Sequence, residues 1–118
     1  ADAGVGAEVP AYLFGHSAGA EFALYLAGQG EGPWRAVAVH AGGRDLRRIS
    51  APDHPVPLRI YLGDHDRLFP LDRVRREAQA MAAAGHDTEL VVIPGHGHWF
   101  YVIGPQIAAE AWVYFQQH

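Results

Sequence analysis

Gly15-His16-Ser17-Ala18-Gly19 is the stretch on which the reading of this chain turns. A short apolar run, Val9 to Phe14, comes before it, and the pattern AGAEFALYLA from Ala18 to Ala27 comes after. The first reads as a buried strand and the second as a helix. G-x-S-x-G between such a pair has a physical logic. The serine sits on a sharp, strained turn that lifts its hydroxyl clear of the sheet, and the small residues around it let strand and helix approach closely. The N-terminus of the following helix adds partial positive charge where an oxyanion would develop. The competing reading is a Gly-rich strand-to-helix turn in which Ser17 is a plain N-cap.

Outward from this point the chain alternates. Gly28, Gly30, Gly32 and Pro33 stop the helix. Trp34 to Ala41 (WRAVAVHA) reads as a second strand, and Gly42 to Pro57 as a polar loop with a helical turn near Asp45–Ile49. Leu58 to Leu62 (LRIYL) is a third strand, Leu71 to Ala84 a helix closed by Gly85, and Thr88 to Ile93 (TELVVI) a fourth strand closed by Pro94-Gly95. A last helix runs from Trp99 or a little later, starting after Pro105, to Gln117; residues 1–8 read as a flexible lead-in. The strands are apolar runs without strict alternation, as expected of a parallel sheet covered on both faces. The expected fold is therefore α/β, with about four parallel strands and flanking helices in a single domain over residues 1–118. In such sheets the chemistry gathers at the carboxyl ends of the strands.

Those ends carry the polar residues of interest. A serine hydroxyl needs a base, and the base needs an orienting acid. Gly63-Asp64-His65-Asp66-Arg67-Leu68-Phe69-Pro70 follows the third strand and His96-Gly97-His98 the fourth, so the chain order is Ser, Asp, His. With GHSAG at 15–19, GDHDRLFP at 63–70 and PGHGHWF at 94–100, the chain resembles the α/β-hydrolase superfamily, particularly its small serine carboxylesterase and lipase-like members. The resemblance implies Ser17 as nucleophile. It implies Asp66 as the acid, through G-x-x-D-x-x-x-P with Gly63 and Pro70 in register, with Asp64 as competitor. It implies His98 as the base, between Gly97 and Trp99-Phe100, with His96 as runner-up. It also implies that Ala18 offers the first oxyanion amide and that the chain is the C-terminal half of a larger, usually eight-stranded, sheet. The loop that normally gives the second amide would lie outside this sequence.

Other residues carry weaker expectations. His16, His40 and Trp99 are expected to line the substrate pocket; Phe100 and Tyr101 would either extend that wall or anchor the last helix. His54, His65, His86 and His118 read as solvated, and Trp112 and Phe115 as core. Arg73, Arg75 and Arg76 beside Asp72 and Glu77 read as a solvated helix face. Arg44, Arg47 and Arg48 fit either a surface loop or contact with an acidic substrate. A metal held by Asp64, His65, His96 and His98 is chemically conceivable, but it would leave the serine turn without a purpose, and neither metal nor cofactor is expected.

Composition sets outer limits. With 49% hydrophobic and 19% charged residues the chain is of the globular class. A net charge of −4 weighs against nucleic acid or an anionic membrane as partner. There is no cysteine and no apolar run of membrane-spanning length, which fits the cytoplasm. The chain begins at Ala1 and its only methionine is Met81, so some preceding sequence is expected to have been removed. The expected function is hydrolysis of small carboxylic esters in an open cleft, with the second oxyanion amide expected from an N-terminal segment, from a homodimer through the exposed sheet edge, or from the chain's own residues. The alternatives are a catalytically impaired interaction module that dimerises through that edge, and a peptidase of the prolyl-oligopeptidase type.

Overall fold

The apolar runs form one parallel sheet. A computed structural model describes residues 11–28, 34–44, 46–49, 51, 55–99 and 103–118. Its strands are β1 (Ala11–His16), β2 (Trp34–His40), β3 (Leu58–Gly63) and β4 (Thr88–Ile93). They lie side by side in chain order, each pair parallel. The helices are α1 (Ala18–Gly28), α2 (Leu71–Ala83) and α3 (Gly104–Gln116), with a 3-10 turn at Leu46–Arg48.

Two apolar layers sandwich the sheet. On one face Ala20, Ala23, Leu24 and Ala27 of α1 and Val74, Ala78 and Met81 of α2 meet Val37, Val39, Leu58, Ile60 and Leu62. On the other, Ile107, Ala111, Tyr114 and Phe115 of α3 meet Ala36, Ala38 and Tyr61. Alternate residues of β2 and β3 thus serve opposite layers, which is why these strands read as unbroken apolar runs. Small side chains take part in both layers: three alanines of α1 lie in the first, and two alanines of β2 lie in the second. β2 and β3 are almost wholly buried, whereas β1 and β4 are half-buried edges among the described residues.

Several boundaries differ from the sequence reading. β1 runs on through Gly15 to His16, because its ladder with β2 continues to the pair His16 and His40. α2 ends in a Schellman motif. Gly85 has φ +110°, its N–H reaches the Ala82 carbonyl at 3.1 Å, and the His86 N–H reaches that of Met81 at 3.0 Å. That closure tucks His86 against the helix end, so it is buried rather than solvated. Glu77 is likewise buried, with Arg73 3.2 Å away one turn earlier. Trp112 is 58% exposed and not core. The sheet-facing stripe of α3 is Ile107, Ala111, Tyr114 and Phe115, and the residue after Ala111 points about 100° away from it. The lead-in at 1–8, Val9, Gly30, Gly32, Pro33, Asp45, His54, Phe100 and Tyr101 lie outside the described residues.

Candidate active site

The end of β1 bends sharply at Ser17. Its φ is +57°, and among the described residues only Ala41, at +61°, is another non-glycine with positive φ. A side chain in this region costs about 1–3 kcal/mol, and such strain concentrates at functional sites. The turn is held by backbone bonds. Ser17 N–H donates to the His40 carbonyl at 3.0 Å, and the Ser17 carbonyl accepts from Ala20 and Glu21 N–H at 2.9 and 3.2 Å, opening α1. A Cβ on Gly15 would collide with the Gly19 carbonyl, so the first glycine of the motif is what lets strand and helix close on Ser17.

The loops after β3 and β4 run in contact. His65 N–H donates to the His96 carbonyl at 2.9 Å, and Asp64 Oδ1 accepts from Gly95 N–H at 2.8 Å. Asp64 thus fastens one loop to the other. Asp66 turns the opposite way. Its Oδ1 accepts from the Leu68 and Phe69 amides at 2.9 and 2.8 Å, and its Oδ2 lies 2.9 Å from His98 Nδ1. The other ring nitrogen, His98 Nε2, lies 2.8 Å from Ser17 Oγ. Asp66 and His98 are both buried. Phe69 stacks on the His98 ring at 5.8 Å and Trp99 meets it edge-on at 5.4 Å.

This packing has a mechanical consequence at Gly63. A Cβ there would collide with the His96 carbonyl, which is backbone and cannot swing away. Gly63→Ala is expected to cost about 1–3 kcal/mol of stability and to push the His98 loop off the sheet. Urea denaturation alongside the activity of the folded fraction would reveal both effects.

The remaining histidines of the site form a row. His16 Nδ1 lies 2.9 Å from His40 Nδ1, and His40 Nε2 lies 2.8 Å from His96 Nε2. His40 has no solvent contact, so its neighbours are these imidazoles rather than an open pocket wall. His16 is half-buried, while Trp99 is 61% exposed beside His98. Burial first, then the neighbouring His16 and His96, pushes the His40 pKa down from 6.5 to about 4. Burial likewise lowers His16, where His98 adds to the effect, and His96. A histidine depressed on folding binds its proton more readily unfolded, so its stability contribution is whole above pH 6.5 and is lost as the pH falls toward 4. The expected loss from His40 is about 3 kcal/mol. Urea-unfolding free energies at pH 7 and pH 4 should show it, and His40→Gln should reduce the difference.

Other residues sit away from this centre. His65 is exposed, 3.7 Å from Asp64. Arg44 lies over the Tyr25 ring at 5.3 Å. Arg44, Arg48, Arg73, Glu21 and Gly43 line a separate cleft of about 300 Å³. Arg47 is exposed on the 3-10 turn. Two features escaped sequence reading: the bridging place of His40 and the fastening place of Asp64. Both depend on which strand ends become neighbours.

Known proteins share this architecture. A search of the curated proteins gave no match. Among solved structures, esterase PE8 superposes with a TM-score of 0.74 at 24% identity, over 88% of this chain and 49% of its own. SOBER1 from Arabidopsis thaliana gives 0.74 at 19% identity, over 97% and 58%. A propionate-bound esterase, Est2 of Thermogutta terrifontis, gives 0.63 at 21% identity, over 86% and 54%. At such identities the likeness is one of fold, and this chain spans roughly half of each structure. The sequence also matches the family model for dienelactone hydrolases over residues 10–114. That match takes in all four strands, all but the last residues of α3, and the loops that bring Ser17, Asp66 and His98 together, so the chain belongs to the dienelactone hydrolase family of the α/β-hydrolase superfamily.

Proposed function

We propose that this chain carries the reacting groups of a serine hydrolase for carboxylic esters. The observation behind this reading is the unbroken contact from Ser17 Oγ to His98 Nε2 and from His98 Nδ1 to Asp66 Oδ2. Asp66 accepts the Nδ1–H of His98, which leaves the lone pair of Nε2 facing the serine hydroxyl. As Oγ bonds to the ester carbonyl carbon, its proton passes to Nε2. Asp66 stabilises the imidazolium so formed. The alcohol departs with that proton, and water repeats the sequence on the acyl-serine. Ala18, exposed at the start of α1, offers an N–H and the helix terminus to the oxyanion. The family match and the esterase folds support the ester-hydrolase class. Trp99 and His16 flank the base and are the proposed first contacts for a small acyl or alcohol group.

The test needs no known substrate. A fluorophosphonate probe should label Ser17, and short p-nitrophenyl esters should turn over. An unlabelled Ser17 would sink the reading. Amide and prolyl-peptide substrates in the same panel would expose a peptidase.

A second reading has its own observation: among the described residues β1 is an edge strand, and its residues are half-buried. Unpaired apolar edges invite another strand. On this reading the same side chains work only after a further segment, or a second copy, pairs with β1 and supplies the other oxyanion amide. Light scattering together with labelling separates the two. A monomer that labels briskly excludes the need for a partner.

A further inference from the structure

The row of His16, His40 and His96 takes no part in the proton transfers above, yet it touches both sides of them. His16 immediately precedes Ser17, and His96 stands two residues before His98. His40 reaches each of them from the end of β2, with ring centroids 5.0 Å away on either side. Its own carbonyl receives the Ser17 N–H at 3.0 Å. The loop after β4 must cross the end of β3 to meet it, and the contact of Gly63 with the His96 carbonyl marks that crossing. Directly after His40, Ala41 takes a φ of +61° and donates its N–H to the Tyr61 carbonyl at 2.9 Å. A strained residue thus follows each of the two paired strands at their shared carboxyl end, Ser17 after β1 and Ala41 after β2. Among the described residues no group of three or more His, Asp or Glu is arranged to hold a metal ion. The close nitrogen pairs are hydrogen bonds.

We propose that His40 is a positioning residue, a buried clamp that holds the Ser17 turn and the His98 loop at bonding distance across β3. The inference rests on the hydrolase reading of this site. A neutral imidazole owns one N–H and one lone pair. His40 therefore donates to one neighbour and accepts from the other. The protons run either from His16 through His40 to His96 or in the reverse order. In both arrangements each of the two bonds has one donor and one acceptor, and the tautomers of all three rings are linked. The low proton affinity of these rings keeps them uncharged near neutrality, so no cation sits beside His98 when it must accept a proton.

The experiment compares wild type, His40→Leu, His40→Gln and His96→Leu. The readouts are the fluorophosphonate labelling rate of Ser17 and the kcat and KM for p-nitrophenyl acetate, each corrected for the folded fraction. A misplacement near 1 Å costs about 10²-fold in rate. His40→Leu should lose about that much in labelling and kcat, with KM little changed. His40→Gln retains one donor and one acceptor and should recover most of the rate. His96→Leu breaks the row at a half-buried loop position, so it reports even where His40→Leu fails to fold, and it too should slow labelling. Wild-type labelling rates in both folded Leu variants would overturn the clamp while leaving the hydrolase reading intact. Equal losses in His40→Leu and His40→Gln would also overturn it, since the bonds would then not matter. An unlabelled wild type would remove the hydrolase reading itself, and the clamp with it. Long-range proton–nitrogen spectra give a check without turnover: His40 should hold a single tautomer at neutral pH, and rapid averaging of both would contradict a clamp.

Discussion

Ser17→Ala is expected to lower ester turnover by about 10⁴- to 10⁶-fold and to abolish fluorophosphonate labelling. The size follows from what remains. Without Oγ there is no bond to the carbonyl carbon, and His98 has no proton to take from the chain. On the proposed mechanism the residual rate would come from binding and from the amide at Ala18. The fold should survive, because Ser17 opens α1 through its carbonyl, with Ala20 and Glu21 as donors, and not through its hydroxyl. Steady-state assays beside a melting curve would separate the two effects. Equal rates for variant and wild type would mean that hydrolysis, if seen, occurs elsewhere.

Asp66→Asn should be nearly as severe, about 10⁴-fold in kcat, for a reason legible in its hydrogen bonds. Oδ1 of Asp66 is already committed to two backbone donors, Leu68 and Phe69. An asparagine must keep its oxygen there, since its NH₂ would oppose both amides. The NH₂ group then faces His98 Nδ1 at the place where Oδ2 now lies. It can only donate, so it forces the His98 proton onto Nε2, the nitrogen 2.8 Å from Ser17 Oγ. On the proposed mechanism His98 would then present its lone pair to the new asparagine instead of to Ser17. The pH–rate profile and the labelling rate should both record this. Asp64→Asn keeps an acceptor for the Gly95 amide and should cost far less. If the two substitutions were equally harmful, the acid would not be assignable from this geometry.

Much of this was legible in the residues themselves. The strand-helix alternation came from apolar runs bounded by glycine and proline, because burial on two faces leaves no polar alternation to read. The turn at Ser17 followed from the small residues that close approach requires. The order of partners followed from strand ends, where a parallel sheet collects its loops. Trp112 was misread because hydrophobicity alone does not say which side of a helix faces the sheet. His86 and Glu77 were misread for the converse reason: a helix closure and a partner charge let polar groups be buried.

Sequence by itself determined the class of fold, the strained serine turn and the two short loops in which its partners had to lie. The family resemblance favours Asp66 over Asp64 and His98 over His96, but each pair shares a loop and a residue type, so residue type and loop position alone do not say which member turns toward the serine. Tertiary structure decided those orientations through bonds between chain segments far apart in sequence: Asp64 to Gly95, Asp66 to His98, His98 to Ser17. It also decided the place of His40. Local propensity is a property of neighbours along the chain, whereas the row from His16 to His96 exists only because the parallel register sets His16 beside His40 and the β4 loop folds back over β3.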